Sequence, residues 1–138
     1  MTMPTFPLTG GCLCGAVRYE IDAPLVSAAY CHCTRCQRRT GTAASAQARV
    51  APGSMRIVAG EELVSEWAPA DGWPKCFCSA CGGALWSRHP TEELRSVRLG
   101  TFDGDPGIRP QWHQFIAYAA TWEPLPDDGL PRYGEGKP

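Results

Sequence analysis

Along this chain, the alternation of apolar and polar positions predicts short strands and little helix. In Ala16-Val17-Arg18-Tyr19-Glu20-Ile21, the residues Val17, Tyr19 and Ile21 share one face, which is the period of a half-buried strand. Asp22-Ala23-Pro24 ends it, and 26–33 predicts a second strand leading into a cysteine-rich stretch. Thr34 to Thr40 is polar and Arg-rich; Thr34 can cap a short helix there and Gly41 can end it. Further strands are predicted over 42–50, 55–58, 62–67, 75–78, 84–87, 96–99 and 113–119. Turn residues separate them, at Pro52-Gly53, Gly60, 69–74, 79–83 and 102–110. Residues 1–8 predict a poorly ordered lead-in, and the Pro- and Gly-rich chain from 123 an irregular tail. Many short strands with turns between them predict a mainly β domain of short antiparallel strands.

Composition narrows the class further. The length of 138 residues suits one domain. With 43% hydrophobic and 20% charged residues the chain reads as an ordinary globular protein. A net charge of −1 gives no global attraction to nucleic acid or an anionic membrane. No apolar run is long enough to span a bilayer, and the N-terminus lacks the basic and apolar segments of a secretory signal. A cytoplasmic setting is therefore expected. Thiols stay reduced there, so eight cysteines read as metal ligands or redox groups before they read as disulfides.

The cysteines form three groups: Cys12 and Cys14; Cys31, Cys33 and Cys36; and Cys76, Cys78 and Cys81. A Cys-x-Cys pair sets two sulfurs on one side of an extended backbone. A Cys-x-x-Cys step turns two sulfurs toward one ion. The most economical pairing joins Cys12 and Cys14 with Cys78 and Cys81 in one closed, structural four-thiolate site. Cys31, Cys33 and Cys36 then supply three corners of a second tetrahedron. Cys76 either completes it or is a small buried residue. An open corner can take a thiol or water and lower its pKa. Redox exchange at Cys33/Cys36 is a third possibility, although no βαβ pattern surrounds it.

Neighbouring residues have simpler roles. His32 alternates away from Cys31 and Cys33 and is expected to face outward or cap locally. His113 reads as a structural histidine. Arg35, Arg38 and Arg39 read as a solvated helix face that can also steer an anion. The five tryptophans read as core or rim residues.

Three motifs taken together resemble the glutathione-dependent formaldehyde-activating enzyme family, also called the centromere-protein-V-like domain. They are Gly10-Gly11-Cys12-Leu13-Cys14-Gly15, Cys31-His32-Cys33-Thr34-Arg35-Cys36 continuing to Gly41, and Phe77-Cys78-Ser79-Ala80-Cys81-Gly82. Phe102-Asp103, Pro110 with His113, and Trp122 follow in order, so the likeness covers about 9–133 as one domain, with 1–8 and 134–138 as terminal extensions. The resemblance implies a zinc-containing β-tent. It implies one zinc on Cys12, Cys14, Cys78 and Cys81, and a second on Cys31, Cys33 and Cys36, which would be the catalytic residues. It further implies a carbon–sulfur lyase that forms S-hydroxymethylglutathione from glutathione and formaldehyde. Lys75 stands where relatives often carry Arg. The expected partners are a small thiol and an aldehyde, with neither nucleic acid nor membrane. The competing expectation is a non-catalytic, zinc-stabilised binding module with two closed sites.

Overall fold

The computed structural model describes residues 4–138. Among the described residues ten short strands form two sheets. The smaller, antiparallel, contains β1 (Leu8–Gly11), β2 (Arg18–Ile21) and β5 (Met55–Ala59), in that order. The larger comprises β3 (Ser27–Cys31), β4 (Ser45–Arg49), β6 (Val64–Trp67), β7 (Lys75–Cys78), β8 (Ala84–Arg88), β9 (Arg95–Arg98) and β10 (His113–Gln114). Its order is β10-β3-β4-β9-β8-β7-β6, antiparallel except where β10 joins β3. The one α-helix among the described residues, α1 (Thr34–Thr40), follows β3 directly. Among the described residues no helix is long and apolar enough to cross a membrane.

The alternation read from the sequence fixes how the sheets meet. Val17, Tyr19 and Ile21 are all fully buried on one face. Tyr19 bridges the two sheets: its ring meets Trp86 and Phe102 edge-on at 6.2 and 5.8 Å, and its hydroxyl lies 2.7 Å from Thr101 Oγ1. In the larger sheet the register aligns Ala28, Ala48, Val97, Trp86 and Cys76 in one cross-strand row. All five are buried members of the core. Strand period then sends their neighbours to the opposite face. Gln47 opposes Arg98, Arg49 opposes Ser96, Ser87 opposes Ser96, and Lys75 opposes Ser87. One face of the sheet is thus apolar core, and the other is a polar row.

Several expectations are corrected. The lead-in expected over 1–8 lies outside the described residues at 1–3 and otherwise ends early, because Leu8 is buried and starts β1. The helix is capped by Cys33 rather than Thr34: the Cys33 sulfur accepts the Cys36 N–H at 3.3 Å. Gly41 ends it as expected, at φ 71°, donating its N–H to Gln37 O at 2.8 Å. The strand expected over 62–67 gives its first residues to a 3₁₀ turn, Glu61–Leu63. The strand expected over 113–119 stops after Gln114, because Phe115 adopts the left-handed region at φ 58° and a 3₁₀ turn, Ile116–Tyr118, follows.

Trp86 joins the central row to the smaller sheet, so Trp86→Ala should cost about 3–5 kcal/mol. The expected result is a lowered urea midpoint at unchanged m-value.

Candidate metal centres and the adjoining pocket

The first sulfur cluster forms where two turns meet. Cys12 and Cys14 lie between β1 and β2, in a turn closed by Gly15 N–H to Cys12 O at 3.2 Å with Gly15 at φ 80°. Cys78 ends β7, and Gly82 N–H closes the following turn onto Cys78 O at 2.7 Å, bringing Cys81 round. The sulfurs of Cys12, Cys14, Cys78 and Cys81 all lie within 4.8 Å of one another. Cys12 Sγ is 3.6 Å from Cys14 Sγ, and Cys14 Sγ is 4.0 Å from Cys78 Sγ. A tetrahedral ion bound at about 2.3 Å per sulfur sets its ligands about 3.8 Å apart, so this cluster could hold one. Burial opposes ionisation of Cys12. The Val17 N–H, 3.2 Å from its sulfur, and the thiols of Cys14, Cys78 and Cys81 prevail and bring it down to about 6. Cys14 gains from the Ala16 amide but is pushed up to about 11, chiefly by Cys12.

The second cluster is built by the β3–α1 junction. Cys31 ends β3, Cys33 caps the helix and Cys36 sits in its first turn, and the three sulfurs lie within 4.8 Å of one another. Gln37 Nε2 holds the junction, donating to His32 O and Tyr118 O at 2.8 Å each. Hydrogen bonds from Cys31 and Cys33 hold the Cys36 thiol far below its ordinary range, with Ser45 and the Arg39 charge assisting. Cys31 is pushed up by the same sharing, first with Cys33 and then Cys36. Cys76 stands apart. It shares the core face of β7 with Cys78, and burial pushes its thiol up.

Cys31, Cys33 and Cys36 open onto a pocket of about 750 Å³. Its floor is the polar face of the larger sheet, with Gln47, Arg49, Ser96, Ser87 and Lys75. The Arg49 guanidinium stacks 4.7 Å from the centre of the Trp73 ring. At the rim Arg35 pairs with Asp71 at 2.8 Å and lies 5.6 Å from the centre of the Trp67 ring. Tyr118 donates its hydroxyl to Glu135 at 2.9 Å. Arg98 lies under the floor, 7% exposed; it donates to Gln47 Oε1 and, at 2.5 Å, to Ser87 Oγ.

The helix-face expectation holds for Arg38, which is exposed, whereas Arg35 and Arg39 are partly buried beside the sulfurs. His32 does not face outward. It is 5% exposed, and its Nε2 lies 2.8 Å from Nδ1 of His113, which is 2% exposed. His113 Nε2 lies 2.7 Å from the Asp128 carboxylate. With His113 Nε2–H donating to Asp128, a neutral His113 accepts at Nδ1 from His32 Nε2–H. Burial and then the neighbouring His113 pull the His32 pKa down. Asp128 escaped sequence reading because it sits in the irregular tail, fifteen residues beyond its partner. Gln47 and Arg98 carried a usable signal, the polar alternation of Ser45-Gln47-Arg49 and Ser96-Arg98.

The glutathione-dependent formaldehyde-activating enzyme family matches residues 7–118, and the chain belongs to it. A Rhodobacter sphaeroides protein of known crystal structure shares the fold, with a TM-score of 0.59 at 22% identity over 91% of this chain and 98% of that one. No curated protein matches the chain.

The Asp128 carboxyl is held below its ordinary range by the His113 hydrogen bond. A depressed folded-state value adds stability above the unfolded value, about 4, and loses it as pH falls through the folded one. Asp128→Asn should therefore lower the thermal midpoint at neutral pH, with the difference from the parent protein shrinking as both are melted at successively more acid pH.

Proposed function

We propose that the three-sulfur site is the reaction centre of a zinc-dependent carbon–sulfur lyase that makes and breaks the adduct of a thiol with a small aldehyde. Family membership suggests glutathione and formaldehyde as the pair. The supporting observation is the asymmetry of the sulfurs: four close on one another, while three line a pocket and Cys76 stays in the core. Thiolate sulfur is a soft ligand suited to zinc, and the sulfur spacings fit its tetrahedron. In this reading Cys12, Cys14, Cys78 and Cys81 hold a structural zinc, and Cys31, Cys33 and Cys36 hold the second. At that second site zinc supplies a place for one more sulfur and favours the ionised thiol.

The chain's own residues would do the rest. Arg49 offers a cationic partner to a carboxylate of a peptide thiol lying over the floor. Trp73 and Phe115 wall the pocket and keep the aldehyde near the sulfur. On addition, the sulfur electron pair forms the C–S bond, the carbonyl π pair moves to oxygen, and the proton released by the thiol ends on that oxygen. The reverse step restores thiol and aldehyde. The Tyr118–Glu135 pair at the mouth can exchange this proton with water.

Glutathione and formaldehyde should react on the zinc-loaded protein faster than they do spontaneously, as followed by NMR exchange. Cys33→Ser should reduce the catalysed rate by about 10²-fold or more, the scale of several kcal/mol that a Lewis-acid site supplies. A catalysed rate that Cys33→Ser leaves unchanged would contradict the reading. The two clusters should also separate in metal analysis and melting. Cys33→Ser should lose the pocket zinc while keeping the fold, whereas Cys78→Ser should lose the other zinc and much of the thermal stability.

A further inference from the structure

The buried side-chain nitrogens lacking a hydrogen-bond partner among the described residues belong to Arg39, Arg49 and Arg98. All three stand around the three-sulfur site and its pocket floor. Arg98 is the most buried of them, and its two hydrogen-bond acceptors, Gln47 and Ser87, are neutral. Neither Arg98 nor Lys75 forms an ion pair with any carboxylate among the described residues. The acids of the pocket are committed elsewhere, Asp71 to Arg35 and Glu135 to Tyr118. A buried cation without an anion is costly, and its acceptors Gln47 and Ser87 line the same pocket as Cys31, Cys33 and Cys36, so its counter-charge should come from that cluster.

The charges bearing on Arg98 come from each element packed around it: Arg39 and Cys36 on α1, Cys31 on β3 and Cys76 on β7. Those bearing on Lys75 are Arg98, Cys36, Arg39 and Arg35. Burial and then Arg39 bring Arg98 down to about 10, and burial followed by Arg98 lowers Lys75. Such shifts mark cations short of negative charge. A link to the sulfurs is also built in. Gln47 Oε1, which accepts from Arg98, lies 3.2 Å from Ser45 Oγ, and Ser45 can alternatively donate its single proton to Cys36.

We propose that Arg98 and Lys75 are positioning residues that supply the counter-charge for a fourth sulfur, so that the pocket takes its thiol as the thiolate. This rests on the reading of the three-sulfur site given above. Three cysteine thiolates around a dication leave one net negative charge, and an added thiolate leaves two. On binding, RSH becomes RS⁻ and its proton passes to water. Two cations at the floor of the pocket onto which the cluster opens favour that loss, whatever group the thiol carries beyond its sulfur.

The test is the pH dependence of binding a simple thiol, 2-mercaptoethanol, to cobalt-substituted protein, read from the sulfur-to-cobalt charge-transfer band. Metal content is measured for each variant. Arg98→Gln should raise the pH of half-binding by about one unit, which is tenfold weaker binding below it. Arg98→Lys should restore most of the shift. Lys75→Met, on a different strand, carries the same expectation should Arg98→Gln fail to fold. A merely structural role would weaken binding of a neutral ligand, imidazole, by the same factor as the thiol, as read from the cobalt d–d bands, whereas loss of counter-charge should spare imidazole. Unchanged half-binding pH in metal-loaded Arg98→Gln or Lys75→Met overturns the proposal, as does a wild-type band that ignores the thiol. A shifted 2-mercaptoethanol midpoint without any catalysed glutathione–formaldehyde reaction would uphold this inference and sink the glutathione reading alone.

Discussion

Gathered thiolate charge is the constraint on which the rest of this structure depends. Sulfurs held within 4.8 Å of one another cannot all ionise unless something opposite compensates them. The two clusters meet the demand differently. Around Cys12 the neighbouring backbone does much of it, through the Val17 amide and a tight glycine turn. Around Cys36 it comes from side chains, Ser45 and Arg39, while Arg98 and Lys75 stand at the pocket floor without a carboxylate partner among the described residues. A cluster satisfied by amides at a turn suits a closed clamp. A cluster facing a pocket over uncompensated cations suits an anionic visitor.

The second determinant is strand period. One row across the larger sheet, Ala28, Ala48, Val97, Trp86 and Cys76, builds the core against Tyr19. Stepping one residue along the same strands gives Gln47, Arg98, Ser96, Ser87 and Lys75, which form or support the pocket floor. Stability and site are therefore two faces of one sheet. This also decides the position of Cys76. Its neighbour Lys75 turns to the pocket, so Cys76 turns to the core and stands outside the three-sulfur group.

Much of this was legible in the chain. Val17, Tyr19 and Ile21 announced a buried strand face, and the cysteine spacings announced two groups of sulfurs, because both depend on local geometry. What was hidden depends on long-range contact. His32 looked outward by alternation, yet β10 runs alongside β3 and buries it against His113. The last strand looked longer because its residues are apolar, and only the left-handed backbone at Phe115 ends it. The alternation of Ser96 and Arg98 marks a polar strand face, but nothing local says that Arg98 is buried against Gln47 and Ser87.

The chain belongs to a family described by glutathione-dependent formaldehyde activation, and Cys31, Cys33 and Cys36 open onto a pocket. The most direct test is a crystal structure of the zinc-loaded protein soaked with glutathione. The account predicts the glutathione sulfur at about 2.3 Å from a zinc held by Cys31, Cys33 and Cys36, with Cys76 still in the core. A zinc already closed by Cys76 as its fourth sulfur, with glutathione elsewhere or absent, would contradict it.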